Sequence, residues 1–582
     1  MIPLLPDYSL LLLLTVLMPL AMALCLAAPA LRQRVILIAP LSAVPALVLA
    51  LVGPTGLTLE LPWLLKRVVL SMDMVARVFL GFTGVLYIVS AWQARAAMAR
   101  DRNAARFFAF LFASMSGNLG VILAADVPTF YFSFALMGLS SAGLVFHSGD
   151  DRAVRAGRLY LVMAVVGEVL VFLGLTTLVA RADTTMIGGA LAASHTTTTL
   201  LLVALGFGIK AGALALHFWL PLAHPAAPVP ASAVLSGSMI KAGLLGWLRF
   251  LPLGDQALTG AGLGWVGVGL AAALIGAAAG ALQRNPKTVL AWSSVAQMGI
   301  MMTGVGAGLA QPDAWPMILP ALLVYVAHHG LAKGALFLGV AVANAASDSM
   351  SVFFTRAALV IPALALAGAP FTSGAVAKVA LKKNLTALPN PWDTAADLLL
   401  PLAAAGTTLL MIRFFVLCWP TRDKDPAPLP PGLWPPLAFA VMATLTGVWL
   451  LPGSVDWLMI KLEPALLWKA VWPLLFGSLL AWALHNLERR RINREPEVPA
   501  VERETIFDRL FGAAESLLSP SAKSASVSAQ TAEQADSQTA VLERALSKWE
   551  ERLRSRPVSG ALLVLVLVSL LALLALLPGP QP

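Results

Sequence analysis

The strongest constraint on this chain is a succession of about sixteen apolar segments, each near the ~20 residues that a helix needs to cross a bilayer. They are centred near residues 18, 44, 80, 116, 137, 168, 208, 240, 272, 298, 330, 365, 407, 443, 475 and 568. In lipid every backbone N–H and C=O must be satisfied within the segment or by a neighbour, so such segments form helices. The pattern predicts an all-α polytopic membrane protein. Of the 582 residues, 59% are hydrophobic and 12% charged, which excludes a soluble globule with a polar surface. The formal net charge of +10 does not point to nucleic acid, because the basic residues sit in short clusters between apolar segments, where they set topology.

Loops after odd-numbered segments are the richer in Lys and Arg, among them Arg32, Arg34, Arg95, Arg100, Arg102, Arg106, Arg152, Arg155, Arg158, Arg284, Lys287, Arg422 and Lys424. The positive-inside rule makes these loops cytoplasmic and places both termini on the outer side of the cell inner (plasma) membrane. The first segment follows Pro3, Pro6 and Asp7 with no basic leader, so it is expected to stay as a span. Cys25 and Cys418 lie in distant apolar segments without CxxC spacing, so no disulfide, metal site or redox cofactor is expected.

Within the run from Lys210 to Arg249, Lys210, His217, His224 and Lys241 interrupt an apolar sequence that also holds Pro221, Pro225, Pro228 and Pro230. A lysine at the bilayer centre costs at least ~2.5–3.5 kcal/mol on insertion scales, so it faces a watery cavity or a partner charge and marks an ion or proton path. His329, Lys333 and Lys378 repeat the pattern further along, beside Pro362 and Pro370. Proline-rich breaks in the seventh and twelfth segments, five apart, read as the broken helices of two inverted five-helix repeats, helices 4–8 and 9–13. Backbone freed at such breaks is tolerated only beside protein or water, which implies hydrated half-channels. Lys210, Lys241, Lys333, Lys378, His217 and His329 then form a midplane row. His217 and His224 read equally well as structural histidines holding the broken helix.

The spacing of Lys210, His217, W-L-P-x-A-H ending at His224, S-A-x-L-S-G, and Lys241 followed by Gly243 and Arg249 resembles the antiporter-like membrane subunits of respiratory complex I (NADH:quinone oxidoreductase) and the related Mrp-type cation/proton antiporters. Three later blocks follow in the family's order: RNPKTVLAWSSVAQMG from Arg284, with Trp292 in a tyrosine's place; HHGLAKGALFL from His328, giving His329 and Lys333; and GAPFTSGAVAKVALKK from Gly368, giving Lys378. The resemblance spans roughly residues 110 to 385. It implies a proton (or Na+/H+) translocating subunit with other membrane subunits and the lipid bilayer as partners. Any redox chemistry would belong to those partners, since no Gly motif for NADH is visible here.

One position departs from the family. Its fifth helix carries F-W-E-L-M-S-L-S-S, whose glutamate pairs with the seventh-helix lysine; this chain reads FSFALMGLSS, with Phe134 and Ala135 at the tryptophan and glutamate. Glu168, alone in VVGEVLVF, is the nearest candidate carboxylate, and a neutral, hydrogen-bonded carboxyl is the competing reading.

The expected organisation is helices 1–3 over residues 1–105, an antiporter-like core over 106–385, helices 13–15 over 386–487, a polar cytoplasmic segment over 488–557 and an anchor over 558–582. The polar segment holds two amphipathic stripes, Ile506 to Leu518 and Val541 to Leu553, parted by a Ser-rich stretch with Pro520. It reads as an interfacial helix pair, and complex I's largest antiporter-like subunit has a lateral helix and final anchor at this place. Asp73 and Arg77, one turn apart, read as a structural pair; His195 reads as solvated, Arg413 as snorkelling and the tryptophans as interfacial anchors.

The function expected is proton (or Na+/H+) translocation within a complex I-like or Mrp-like assembly. A non-conducting scaffold with a degenerate N-terminal half-channel, and a membrane subunit of an inorganic-carbon uptake complex, are the alternatives. The topology is testable with a reporter active only in the cytoplasm, which should be active when fused after Arg494 and silent after Pro582; the reverse pattern rejects the orientation.

Overall fold

The computed structural model describes residues 8–64, 67–192, 195–419, 429–451 and 464–494. The amphipathic pair at 506–553, the anchor centred near 568 and the loop with Arg422 and Lys424 lie outside those residues. Among the described residues, twelve helices are long and apolar enough to cross a membrane, and thirteen if the bent pair Pro29–Leu37 and Ala39–Val52 is one span. Each expected centre from 18 to 475 falls within a helix, but those at 208 and 443 lie in the shorter Thr197–Ala211 and Trp434–Leu450.

In chain order the helices are α1 (Tyr8–Cys25), α2 (Arg32–Leu37), α3 (Val44–Val52), α4 (Met74–Ala97), α5 (Ala104–Leu123), α6 (Val127–Val145), α7 (Asp151–Ala182), α8 (Ile187–Ala192), α9 (Thr197–Ala211), α10 (Trp219–Ala226), α11 (Val229–Val234), α12 (Lys241–Phe250), α13 (Thr259–Ala281), α14 (Pro286–Ala310), α15 (Trp315–Ala345), α16 (Ser349–Ala367), α17 (Ser373–Leu385), α18 (Trp392–Cys418), α19 (Trp434–Thr446) and α20 (Pro464–Arg494). An antiparallel hairpin, β1 (Leu57–Leu61) and β2 (Val68–Met72), pairs Leu57 with Met72 and Leu61 with Val68.

Short polar side chains start the spans. Asp73, Asp126, Asp150, Thr196, Asn285, Asp348 and Thr372 each accept a bond from a backbone N–H in the first turn of the helix that follows. This supplies partners for donors that a helix start leaves unpaired, which in an apolar setting have few other acceptors. Asp126 does more. Fully buried, it accepts from Thr129 N at 2.8 Å and from Val69 N at 2.7 Å, tying β2 to the start of α6.

The bundle packs through small residues. On α13, Gly262, Gly269 and Gly276 face α14 so closely that a Cβ on Gly269 would lie 2.6 Å from the Gly299 carbonyl oxygen, and one on Gly276 would lie 2.9 Å from the Ala296 nitrogen. Such approach gives the dispersion contact that holds helices together where no water is expelled. α14 is buried from Leu290 onward and α15 from Ala321 to Val340, so the polar residues of both lie inside the protein.

The structure corrects several sequence expectations. Asp73 pairs with Arg249, whose Nη2 is 2.9 Å from Oδ1, while Arg77 donates to the Gly53 carbonyl. Arg413 donates to the Gln283 carbonyl at 3.0 Å, and His195 is half-buried instead of solvated. Trp219, Trp247 and Trp292 are buried; only some tryptophans, such as Trp63, Trp468 and Trp482, are exposed as anchors would be. Lys287 is a half-buried residue in the first turn of α14, because an inward carbonyl receives it.

Replacing Gly269 by Leu should cost about 1–3 kcal/mol through overpacking, whereas Leu at Gly264, whose Cβ would meet nothing within 4 Å, should cost little. Thermal unfolding of the purified chain in detergent, with a lower midpoint for Gly269→Leu alone, checks this.

Candidate functional site

The break in the seventh span lies ahead of its prolines. α9 ends where Gly212 adopts φ 67°, and Ala215 at φ 70° turns the chain before α10 begins at Trp219. Pro221 sits in the first turn of α10, where a missing N–H is tolerated, and Pro228 caps α11. Neither makes the break; left-handed backbone does. The twelfth span repeats the device. Pro362 lies inside α16 without ending it, and the chain turns at Gly368 (φ 86°) and Phe371 (φ 64°), with Pro370 between them.

Each break is closed by a side-chain donor. Trp219 Nε1 donates to the Ile209 carbonyl at 2.8 Å, and Lys378 Nζ donates to the carbonyls of Leu366 at 2.9 Å and Ala367 at 2.8 Å, the last residues of α16. Cations at helix C-termini also meet the negative end of the helix dipole. Lys210 occupies that position on α9, one residue before its end.

Around Lys210 the wall is built by α6, α7, α9 and α10. Lys210 Nζ donates to Tyr160 Oη at 3.0 Å, and Tyr160 Oη is hydrogen-bonded to Ser141 Oγ. A small cavity, with room for about one water, is lined by Phe134, Tyr160, Gly167, Glu168, Lys210 and Trp219 among others. The structure thus brings Glu168 to Lys210, yet no ion pair or hydrogen bond joins them.

The second group lies where α11, α12, α14 and α15 meet. Between α11 and α12 the helix widens into a π turn at Leu235–Met239, closed by Ile240 N to Leu235 O at 3.2 Å, and Lys241 Nζ donates to the Ser236 carbonyl inside it. Ser236 Oγ lies 2.8 Å from Ser294 Oγ of α14. Lys333 Nζ reaches the Leu290 carbonyl at 2.6 Å, and Lys287 Nζ reaches that of Ala227, between α10 and α11, at 2.6 Å. Lys241, Lys333, His224 and His329 are fully buried and near enough to act on one another electrostatically. The His224 ring stacks on Phe337 at 4.7 Å, and the His217 ring lies 4.9 Å from Trp292. Among the described residues, both ring nitrogens of His217, His224 and His329 lack a hydrogen-bond partner.

Four contributors escape a reading of the sequence. Tyr160 carries no motif signal; Gly138, at a serine of the fifth-helix block, draws no reading beside Ala135; Lys287 reads there as a loop charge; and His328, which bonds Ser373 Oγ at 2.8 Å at the start of α17, is overshadowed by its neighbour His329. The double histidine is the one available clue.

Residues 124–396 match the family described as NADH:quinone oxidoreductase/Mrp antiporter, TM. The chain is 30% identical to hydrogenase-4 component B of Escherichia coli over 52% of this chain and 48% of that one. It is 28% identical to a probable K(+)/H(+) antiporter protein of Rhizobium meliloti over 65% and 39% respectively, so it spans about half the length of these relatives or less. Its fold is similar to a chain of the Mrp complex from a Dietzia species, with TM-score 0.69 at 22% identity over 98% of this chain and 64% of that one. It is also similar to a chain of respiratory complex I from Thermus thermophilus, with TM-score 0.65 at 22% identity over 81% and 99%.

Trp219→Phe keeps an aromatic ring but removes the polar hydrogen facing Ile209. It should cost about 1–2 kcal/mol, read as a lower unfolding midpoint together with faster hydrogen exchange in the last turn of α9.

Proposed function

We propose that this chain, whose residues 124–396 match the NADH:quinone oxidoreductase/Mrp antiporter family, is an antiporter-like membrane subunit that moves protons, or exchanges Na+ for H+, within a larger membrane assembly in the bacterial plasma membrane. The observation that carries this is chemical. Among the described residues, Lys210, Lys241 and Lys333 are buried with no carboxylate bonded to them, held by a phenol and by backbone carbonyls, and three buried histidines beside them have unpartnered nitrogens. A scaffold gains nothing from that arrangement, since buried cations cost free energy that apolar residues of the same size would not. A relay needs it: groups that can hold or release a proton, spaced along a polar seam where water completes the imidazole bonds.

The order Lys210, His217, Lys241, His329, Lys333, Lys378 follows the two broken spans and the π turn between them. The two breaks, each bearing a lysine, fit two inverted repeats, helices 4–8 and 9–13, related as halves of one pathway. Other membrane subunits cover the exposed faces and supply the driving reaction. The family's names include hydrogenase, antiporter and complex I components, and the proposal takes from them only ion translocation.

In the tagged assembly reconstituted into liposomes, Lys333→Ala or Lys378→Ala should lower dye-reported proton flux at least tenfold while the assembly purifies in normal yield. Wild-type flux in both variants would favour the scaffold reading.

A further inference from the structure

Glu168 is placed as a structural carboxyl would not be. α7 and α9 approach so closely that a Cβ on Gly206 would lie 2.8 Å from the Val171 nitrogen and 3.0 Å from the Gly167 carbonyl oxygen. That crossing sets Glu168, next to Gly167, and Lys210, one turn after Gly206, on the same cavity. Glu168 is 7% exposed, and its Oε1 has no hydrogen-bond partner among the described residues. On the facing wall α6 presents Gly138. A Cβ there would overlap Glu168 Oε1 and lie 3.9 Å from Lys210 Nζ, so a side chain at 138 would displace the carboxylate from its place beside the ammonium. Ser141, one turn beyond Gly138, holds the Tyr160 hydroxyl that receives Lys210.

Building on the proton-relay reading, we propose that Glu168 of α7 serves as the anion for Lys210 in place of the carboxylate missing at Ala135, that Gly138 is the seat admitting it, and that Tyr160 is the positioning residue that holds the ammonium when it turns from the carboxylate. The chain has moved the ion-pair partner from one helix to the next and cleared space for it. With Lys210 against Glu168, the carboxylate stabilises the positive charge, and Lys210 keeps its proton. Turned to the neutral phenol, the ammonium loses that compensation and passes one proton through cavity water to the next base, becoming an amine. Glu168 remains a carboxylate, and a proton entering by the cavity restores the ammonium. Charge and proton count close over the cycle.

The test uses the full tagged assembly in liposomes, with proton flux, assembly yield and the infrared carboxylate band as readouts. Lys210→Ala and Glu168→Gln should each lower flux at least tenfold, and the double variant should fall no further than either single one. Ala135→Glu in the Glu168→Gln background should recover several-fold of the lost flux, a rescue that a packing role for Glu168 would not show. Gly138→Ala should lower flux several-fold at normal yield, while Gly264→Ala, with open space around it, should not. Tyr160→Phe should lower flux with the Glu168 band still that of an ionised carboxylate. Wild-type flux in Glu168→Gln with Lys210→Ala inactive, or additive losses in the double variant, would overturn the relocation and leave the relay standing. Wild-type flux in Lys210→Ala as well would remove the relay through this half. Should Glu168→Gln not assemble, the wild-type spectrum decides: an ionised carboxylate band that shifts in Gly138→Ala supports the proposal, and a band of neutral carboxylic acid at that site overturns it.

Discussion

Where a membrane helix stops short, its last carbonyls need donors, and no water from bulk solvent can be relied on to supply them. In this chain the donors are Trp219 Nε1 for Ile209, Lys378 Nζ for Leu366 and Ala367, Lys287 Nζ for Ala227 and Lys241 Nζ for Ser236. Most of these are cations drawn to the negative end of a helix or to a widened turn. The same bonds that make the breaks tolerable therefore fix ammonium groups inside the bundle. One interaction therefore serves two ends: a lysine that caps backbone is also a charged group held within the bundle.

Close approach sets how those lysines meet their surroundings. Gly206 against Gly167, and Gly269 against Gly299, bring helix backbones into contact where any side chain would force them apart. At the first crossing this places Glu168 and Lys210 on one cavity; at the second it holds α13 against α14, the helix that supplies Ser294 and the Leu290 carbonyl to the central polar seam. Small residues thus determine electrostatics at a distance of one turn.

The polar seam itself is asymmetric in how completely it is satisfied. Thr83, Asn118 and Ser238 close their bonds on one another, as do Tyr325, Gln297 and Thr407. The histidines at 217, 224 and 329 do not. Satisfied networks rigidify a bundle, whereas buried groups left with open valences are those that exchange partners. The division separates closed networks that hold the helices from buried imidazoles whose ring nitrogens have no partner among the described residues.

Much of this was legible in the chain. Apolar length gave the helical membrane class, and every described centre fell on a helix, because lipid leaves the backbone no other choice. Lys210, Lys241, Lys333 and Lys378 stood out because their charge conflicts with their neighbours in sequence. The blocks around them carried the resemblance to the family whose model matches residues 124–396. Prolines, by contrast, misled about the breaks: Pro221 and Pro362 fit within helices, and the turns belong to Gly212, Ala215, Gly368 and Phe371, whose backbone angles leave little trace in sequence. Asp73 chose Arg249 over Arg77, a partner 176 positions away that no periodicity indicates. The cavity joining Glu168, Tyr160 and Lys210, and the approach of Gly138 to the carboxylate, were likewise settled only in three dimensions. A sequence records which residue carries a charge and how far it lies along one helix; which charge it faces depends on where separate helices cross, and those crossings are decided by packing among residues remote in the chain.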